Sequence, residues 1–197
     1  MTVQREILLL ALTLILSWIV ITLATWYAWY NQDLSGTKIH DILFEILPDY
    51  KDVKTPIPNY IGMIATMVTL IGVKDKHWGY TCQYLLLICV LLLIRSVTMT
   101  LTLLPNIHVY EYCKETPTTF FELVEKQLEH GSCGDYMFSG HTATVFLLYM
   151  ITHRHSYDYA FEVINGLLVG AMIIALLLLR WHYSFDIVVA IVIVYFP

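Results

Sequence analysis

Long apolar runs separated by polar connections organise this chain, and their lengths set the elements it predicts. A bilayer-spanning helix needs about 20 mostly apolar residues. Five runs approach or exceed that length: 7–30, 57–73, 80–104, 136–152 and 163–181. The first carries no charged residue, and Arg95 interrupts the third. A sixth, 185–197, is too short to cross the hydrocarbon comfortably. The expected fold is therefore all-α: a polytopic six-helix transmembrane bundle with a truncated last span, forming one integral-membrane domain over 1–197. The run from Ile7 is too long for a signal-peptide core and lacks a small-x-small cleavage site, so it reads as a retained span.

The connections supply topology. Two are long and polar, Asn31 to Pro56 and Pro105 to Asp135; the loops at Lys74–His77 and His153–His155 are short and basic. Connections alternate sides of a helical membrane protein. The long loops and the turn from Trp181 to Phe185 thus share one face, and positive-inside reasoning puts the short basic loops and the termini in the cytosol. Span-end aromatic residues (Trp26, Tyr27, Trp29, Tyr30, Trp181) read as interfacial anchors, and the histidines other than His141 and His182 as solvated loop residues. The same alternation brings His141, at the start of span four, and His182, at the end of span five, to one membrane face.

Composition agrees with the class: 58% of residues are hydrophobic and only 14% charged, and a net charge of −5 without a basic cluster excludes nucleic acid as a partner. Cys82 and Cys89 fall inside span three and read as packing residues. Cys113 and Cys133 flank one polar loop and are candidates for a disulfide if that loop is lumenal. No metal-ligand spacing is present and no cofactor is implied.

Few residues remain that can do chemistry. His182 and Asp186 stand four apart, so on a helix they share one side and the carboxylate can fix the ring's tautomer. Ser139-Gly140-His141 opens a span, where backbone N–H groups attract anions and a histidine can exchange a proton with a phosphate-ester oxygen. Taken alone, that tripeptide also fits an ordinary helix cap. Arg95 is costly within a span, which favours a phosphate-facing role. Arg180 binds phosphate or sits at headgroup level. Asp49 and Asp135 are candidates for shaping the site.

Together these segments resemble the sphingomyelin synthase family, within the lipid phosphate phosphatase superfamily. Cys133-Gly134-Asp135-Tyr136-Met137-Phe138-Ser139-Gly140-His141-Thr142 is similar to that family's third motif almost residue for residue, and His182 to Ala190 to its fourth. Leu47-Pro48-Asp49 resembles the first motif, and Arg95 to Pro105 the second. The resemblance implies a catalytic triad of His141, His182 and Asp186. It also implies a phospholipid donor and a ceramide acceptor as membrane partners, with self-association a further option. The implied reaction moves a phospho-headgroup, phosphocholine first among the choices, onto ceramide through a phosphohistidine. The implied setting is the Golgi, endoplasmic reticulum or plasma membrane, with the site facing the lumen or exterior. Leu92 departs from the second motif, where a tyrosine is usual, so phosphoethanolamine and phosphoinositol stay open. The alternatives are a lipid phosphate phosphatase, against which Leu176 stands where such enzymes carry an arginine, and a non-catalytic protein that binds ceramide or phospholipid.

Overall fold

The computed structural model describes residues 3–31, 39–50, 56–73, 78–104, 114–130, 137–156 and 158–196. Among them the chain is helical, apart from an isolated antiparallel bridge between Val73 and Ser156. The helices are α1 (Val3–Asn31), α2 (Ile42–Ile46), α3 (Ile57–Gly72), α4 (Trp78–Leu101), α5 (Phe120–His130), α6 (Gly140–His155), α7 (Tyr159–Leu178) and α8 (Ser184–Tyr195). Three stretches are long and apolar enough to cross a membrane: Ile7–Asn31, Cys82–Leu101 and Tyr159–Leu178. α3 and α8 are apolar but shorter, at 16 and 12 residues.

Two short helices were not anticipated, because a search for long apolar runs passes over them. α2 has five residues and starts on Asp41, whose carboxylate accepts from Leu43 N. α5 is amphipathic and carries its own start signal. The Thr119 hydroxyl accepts from Glu122 N at 3.2 Å, and the Glu122 carboxylate reaches back to Thr118 N and Oγ1 at 2.8 and 2.9 Å. This is close to the reciprocal arrangement of a capping box. Spans four and five also shift. α6 begins at Gly140 and continues through His155, so His153 and His155 lie in its last turn instead of in a loop. His153 Nδ1 meets Glu162 Oε1 of α7 at 2.8 Å. α7 begins at Tyr159 because the Asp158 side chain caps it through Ala160 N at 2.9 Å.

The helices gather into two compact units, each contributed by two stretches of chain. In the first, α1 packs along α4, and small residues make the approach. Ile21, Ala24, Ala28 and Met99 form a buried cluster flanked by Leu92 and Leu103. Ser17, Thr22 and Thr25 lie on the buried side of α1, and their hydroxyls bond carbonyls three or four residues back in the same helix. Within a bilayer, apolar burial gives no drive between helices, so small residues and internally satisfied hydroxyls favour close packing. Trp29 is 1% exposed and has Lys126 Nζ 5.9 Å from its ring centre. It is a packed residue and not the interfacial anchor expected. Cys89 is buried and Cys82 half-buried on α4, both as free thiols.

In the second unit, α3, α6 and α7 pack together, with α8 against α6. A buried polar knot joins three of them. Asn165 Nδ2 donates to Thr69 Oγ1 at 2.9 Å and to Thr152 Oγ1 at 2.7 Å, and the two hydroxyls are 3.2 Å apart. Both threonines also bond carbonyls within their own helices. Near this knot Gly72 lets α3 approach α7 closely: a Cβ there would stand 2.5 Å from Phe161 Cγ.

Two outcomes follow. Gly72→Ala should cost about 1–3 kcal/mol through overpacking, seen as a lowered thermal midpoint in detergent, and Phe161→Ala in the same chain should recover part of it. The second concerns Glu122, whose carboxyl is held below its ordinary value by the hydrogen bonds from Thr118. A depressed folded-state value means that the tie contributes above the unfolded value and is lost as pH falls through the folded one. Amide exchange at Thr118 should therefore accelerate, beyond the intrinsic pH trend, on acidification through and below the normal carboxylate range.

Candidate active site

The first piece is a turn at the end of α7. Trp181 N donates to Leu176 O at 3.0 Å and Arg180 N to Leu177 O at 3.3 Å, the pair of bonds of a Schellman motif. Such a motif needs a left-handed residue, usually glycine. Here Arg180 takes it, with φ 57°, and it alone among the described non-glycine residues has positive φ. That conformation costs a side-chain-bearing residue about 1–2 kcal/mol. The reversal delivers His182 just ahead of α8.

His182 is 6% exposed and Asp186 fully buried. Nδ1 of the ring lies 3.3 Å from Asp186 Oδ2, and the same oxygen accepts from Tyr183 N at 3.0 Å. The expectation that the two residues share a helix face is corrected here: α8 starts at Ser184, so His182 precedes the helix and folds back on its first turn. The contact survives because Tyr183 is extended, with ψ 154°, and Asp186 serves as the acceptor for that first turn. A carboxylate on Nδ1 fixes the tautomer and orientation of the ring.

The second piece is the start of α6. Ser139 Oγ accepts from Thr142 N at 3.3 Å and lies 2.9 Å from Thr142 Oγ1, and Ser139 is fully buried. Its hydroxyl is thus a helix cap. Gly140 is the first helical residue and puts His141 in the first turn. His141 Nε2 is 2.9 Å from Asn59 Oδ1 of α3. Its ring meets the Trp181 ring edge-on, with centroids 5.7 Å apart. Trp181, half-buried, is therefore a site residue as much as an anchor.

The two pieces are joined by one backbone bond: Ser139 N donates to Asp186 O at 3.4 Å. His141 thereby stands two residues from a direct link to Asp186, and its ring touches the neighbour of His182. All three residues of the expected triad belong to the second unit, as do Ser139, Gly140 and Arg180. Arg95 belongs to the first unit, half-buried on α4, where its carbonyl accepts from Thr98 Oγ1. Arg180 Nη2 donates to Phe44 O and Leu47 O, both at 2.8 Å. Asp135, Cys113 and Cys133 lie outside the described residues. Among the described residues no histidine, cysteine and carboxylate group is clustered to hold a metal.

Sequence reasoning missed Asn59 and Asp41. Asn59 follows a Pro-Ile-Pro helix start and has no local signal of its own. Asp41 Oδ2 accepts from Ser184 N at 2.6 Å and Oδ1 from Ser184 Oγ at 3.0 Å, across 143 residues of sequence.

Comparison with known proteins bears out the resemblance drawn from the motifs. Residues 132–196 match the family model described as PAP2 superfamily C-terminal. The chain is similar to phosphatidylcholine:ceramide cholinephosphotransferase 2 of Homo sapiens, 25% identical over 209 residues that cover 89% of this chain and 57% of that protein. The protein of the same name from Macaca fascicularis matches with the same identity and coverage. That of Mus musculus is 35% identical over 63 residues, 31% of this chain and 17% of its own length. The chain thus spans a little over half the length of the first two relatives. With its three long apolar helices, it is an integral membrane protein similar to lipid phosphotransferases.

Asp186 is the joint on which this geometry turns. Asp186→Ala leaves the buried Tyr183 N–H and the His182 ring without that acceptor and should cost about 1–3 kcal/mol. Asp186→Asn, which keeps an acceptor oxygen, should recover part of the loss. Thermal unfolding in detergent, monitored apart from any activity, checks the order.

Proposed function

We propose that this chain transfers a phospho-headgroup, phosphocholine first among the candidates, from a glycerophospholipid to ceramide. The observation that carries the reading is the buried His182–Asp186 pair, tied by the Ser139–Asp186 backbone bond to the helix start that bears His141. The similarity to phosphatidylcholine:ceramide cholinephosphotransferases gives the reaction its class. The setting is a bundle of six crossings, with α3, α6 and α8 as the shorter ones.

In the first half-reaction, His182 Nε2 attacks the phosphorus of the donor lipid. The bond from phosphorus to the diacylglycerol oxygen breaks, and His141 gives that oxygen a proton. Asp186 stabilises the cationic ring through Nδ1, as a carboxylate does for a catalytic imidazole. A phosphohistidine carrying the headgroup remains. In the second half-reaction, His141 takes the proton of ceramide's primary hydroxyl, whose oxygen attacks phosphorus and releases His182. One imidazole acts as acid and then as base, as the symmetry of the two steps requires. The amides that open α6 present the positive end of a helix dipole to the phosphate.

The PAP2 superfamily match also supports a second reading, hydrolysis, in which water replaces ceramide. Product analysis separates the two. Diacylglycerol with a phosphosphingolipid marks transfer, and a water-soluble phosphate product marks hydrolysis.

The test is to incubate the purified protein with a phospholipid labelled in its headgroup phosphate and to trap the enzyme-bound label. Wild type should hold acid-labile label and His182→Ala none. His141→Ala should slow turnover by about 10²–10⁴-fold, the usual contribution of general acid–base assistance. Label that persists in His182→Ala would overturn the assignment.

A further inference from the structure

The segment from Asp41 to Tyr50 has no place in the reaction above, yet Asp41, Phe44, Leu47 and Tyr50 fasten it to the turn that delivers His182. Asp41, 9% exposed, gives both carboxylate oxygens to Ser184, the first residue of α8. Phe44 lies between two groups of the turn: the Arg180 guanidinium carbon is 4.3 Å from its ring centre, and the Tyr183 ring is stacked at 5.6 Å and 23°. The carbonyls of Phe44 and Leu47 take both hydrogen bonds of Arg180 Nη2. Tyr50 N donates to Leu178 O at 2.9 Å, the last helical carbonyl of α7.

The segment therefore satisfies two helix ends at once. It supplies a carboxylate to the amide end of α8 and an N–H to the carbonyl end of α7, the groups that helix termini leave without internal partners. Between those ends lie only Leu179 to Tyr183, with His182 among them. The left-handed backbone of Arg180 fits this account. Glycine would relax that position, whereas arginine supplies the side chain that holds the segment.

We propose that Asp41–Tyr50 is a strap that sets the position of His182, and that Arg180, Phe44 and Asp41 are positioning residues, with Arg180 not a ligand of the substrate phosphate. The functional part of this inference rests on the transfer reading; the strap itself does not. Arg180 is 5% exposed, and both hydrogens of its Nη2 go to carbonyls of the segment, which leaves that nitrogen none to give a phosphate; Nη1 is buried without a hydrogen-bond partner. A basic residue two positions before a catalytic histidine looks like an anion ligand in sequence. Here the geometry turns it away.

The experiment compares Arg180→Lys, Phe44→Leu and Asp41→Asn in the full chain by two measurements. The first is amide hydrogen exchange at Ser184, in detergent, independent of activity. Each variant should lose protection there by about tenfold or more, since each loosens the same local opening. Asp41→Asn combined with Phe44→Leu should add little beyond either alone, as expected for contacts in one network. The second is steady-state transfer. Displacing the nucleophile should lower kcat by about 10²-fold, as misplacement of around an ångström does, with the donor KM nearly unchanged. A phosphate ligand would behave otherwise: Arg180→Lys would raise the donor KM, and Phe44→Leu and Asp41→Asn would leave both constants alone. That pattern, or Ser184 protection unchanged in Phe44→Leu, overturns the proposal. If wild type transfers no headgroup, the reaction assigned above fails while the exchange measurement still decides the strap.

Discussion

A carboxylate with no exposure to solvent needs hydrogen-bond donors, and Asp186 is the described residue whose bonds shape most else. Removing an ion from water costs several kcal/mol even after relaxation, and the cost is offset only by well-placed hydrogen bonds. Asp186 Oδ2 receives them from the His182 ring and from Tyr183 N, while its backbone carbonyl accepts separately from Ser139 N. Each donor belongs to a different task. One orients the imidazole, one starts α8, and one fixes the beginning of α6 beside it. A single residue thus converts three local requirements into one arrangement of two histidines.

The same rule operates elsewhere, with weaker groups. Asn165 links Thr69 and Thr152 in the helix core, and the hydroxyls buried on α1 bond their own helix. In a medium without water, polar atoms find partners inside the chain or are expensive to keep. Helix ends pose the same problem most sharply, because their amides and carbonyls have no intrahelical partner. The Asp41–Tyr50 segment answers it for α7 and α8, where the candidate chemistry sits. Stability and positioning are the same set of contacts there.

How far the sequence reaches can be seen residue by residue. The apolar runs predict α1, α3, α4, α7 and α8 well, because a lipid-facing helix must be apolar over its whole length. They miss α2 and α5, whose signals are caps and amphipathicity over a few turns. His182 and Asp186 are legible as a pair from their spacing, but not as a pair that straddles a helix start. Ser139 is legible as a cap and its inward orientation is not. Arg180 is legible as a basic residue near His182, but its neighbours in space, two carbonyls and a phenyl ring, are not.

What the sequence determined by itself is membership of the membrane class and the chemistry that the motifs can support. These follow from hydrophobicity and from side-chain types at fixed short spacing. The tertiary structure alone decided which groups hold those imidazoles. Asn59 meets His141 across 82 residues, Asp41 meets Ser184 across 143, and Arg180 reaches Phe44 across 136. No local pattern encodes contacts at such separations, because they exist only once helix packing has brought distant helix ends to the same place.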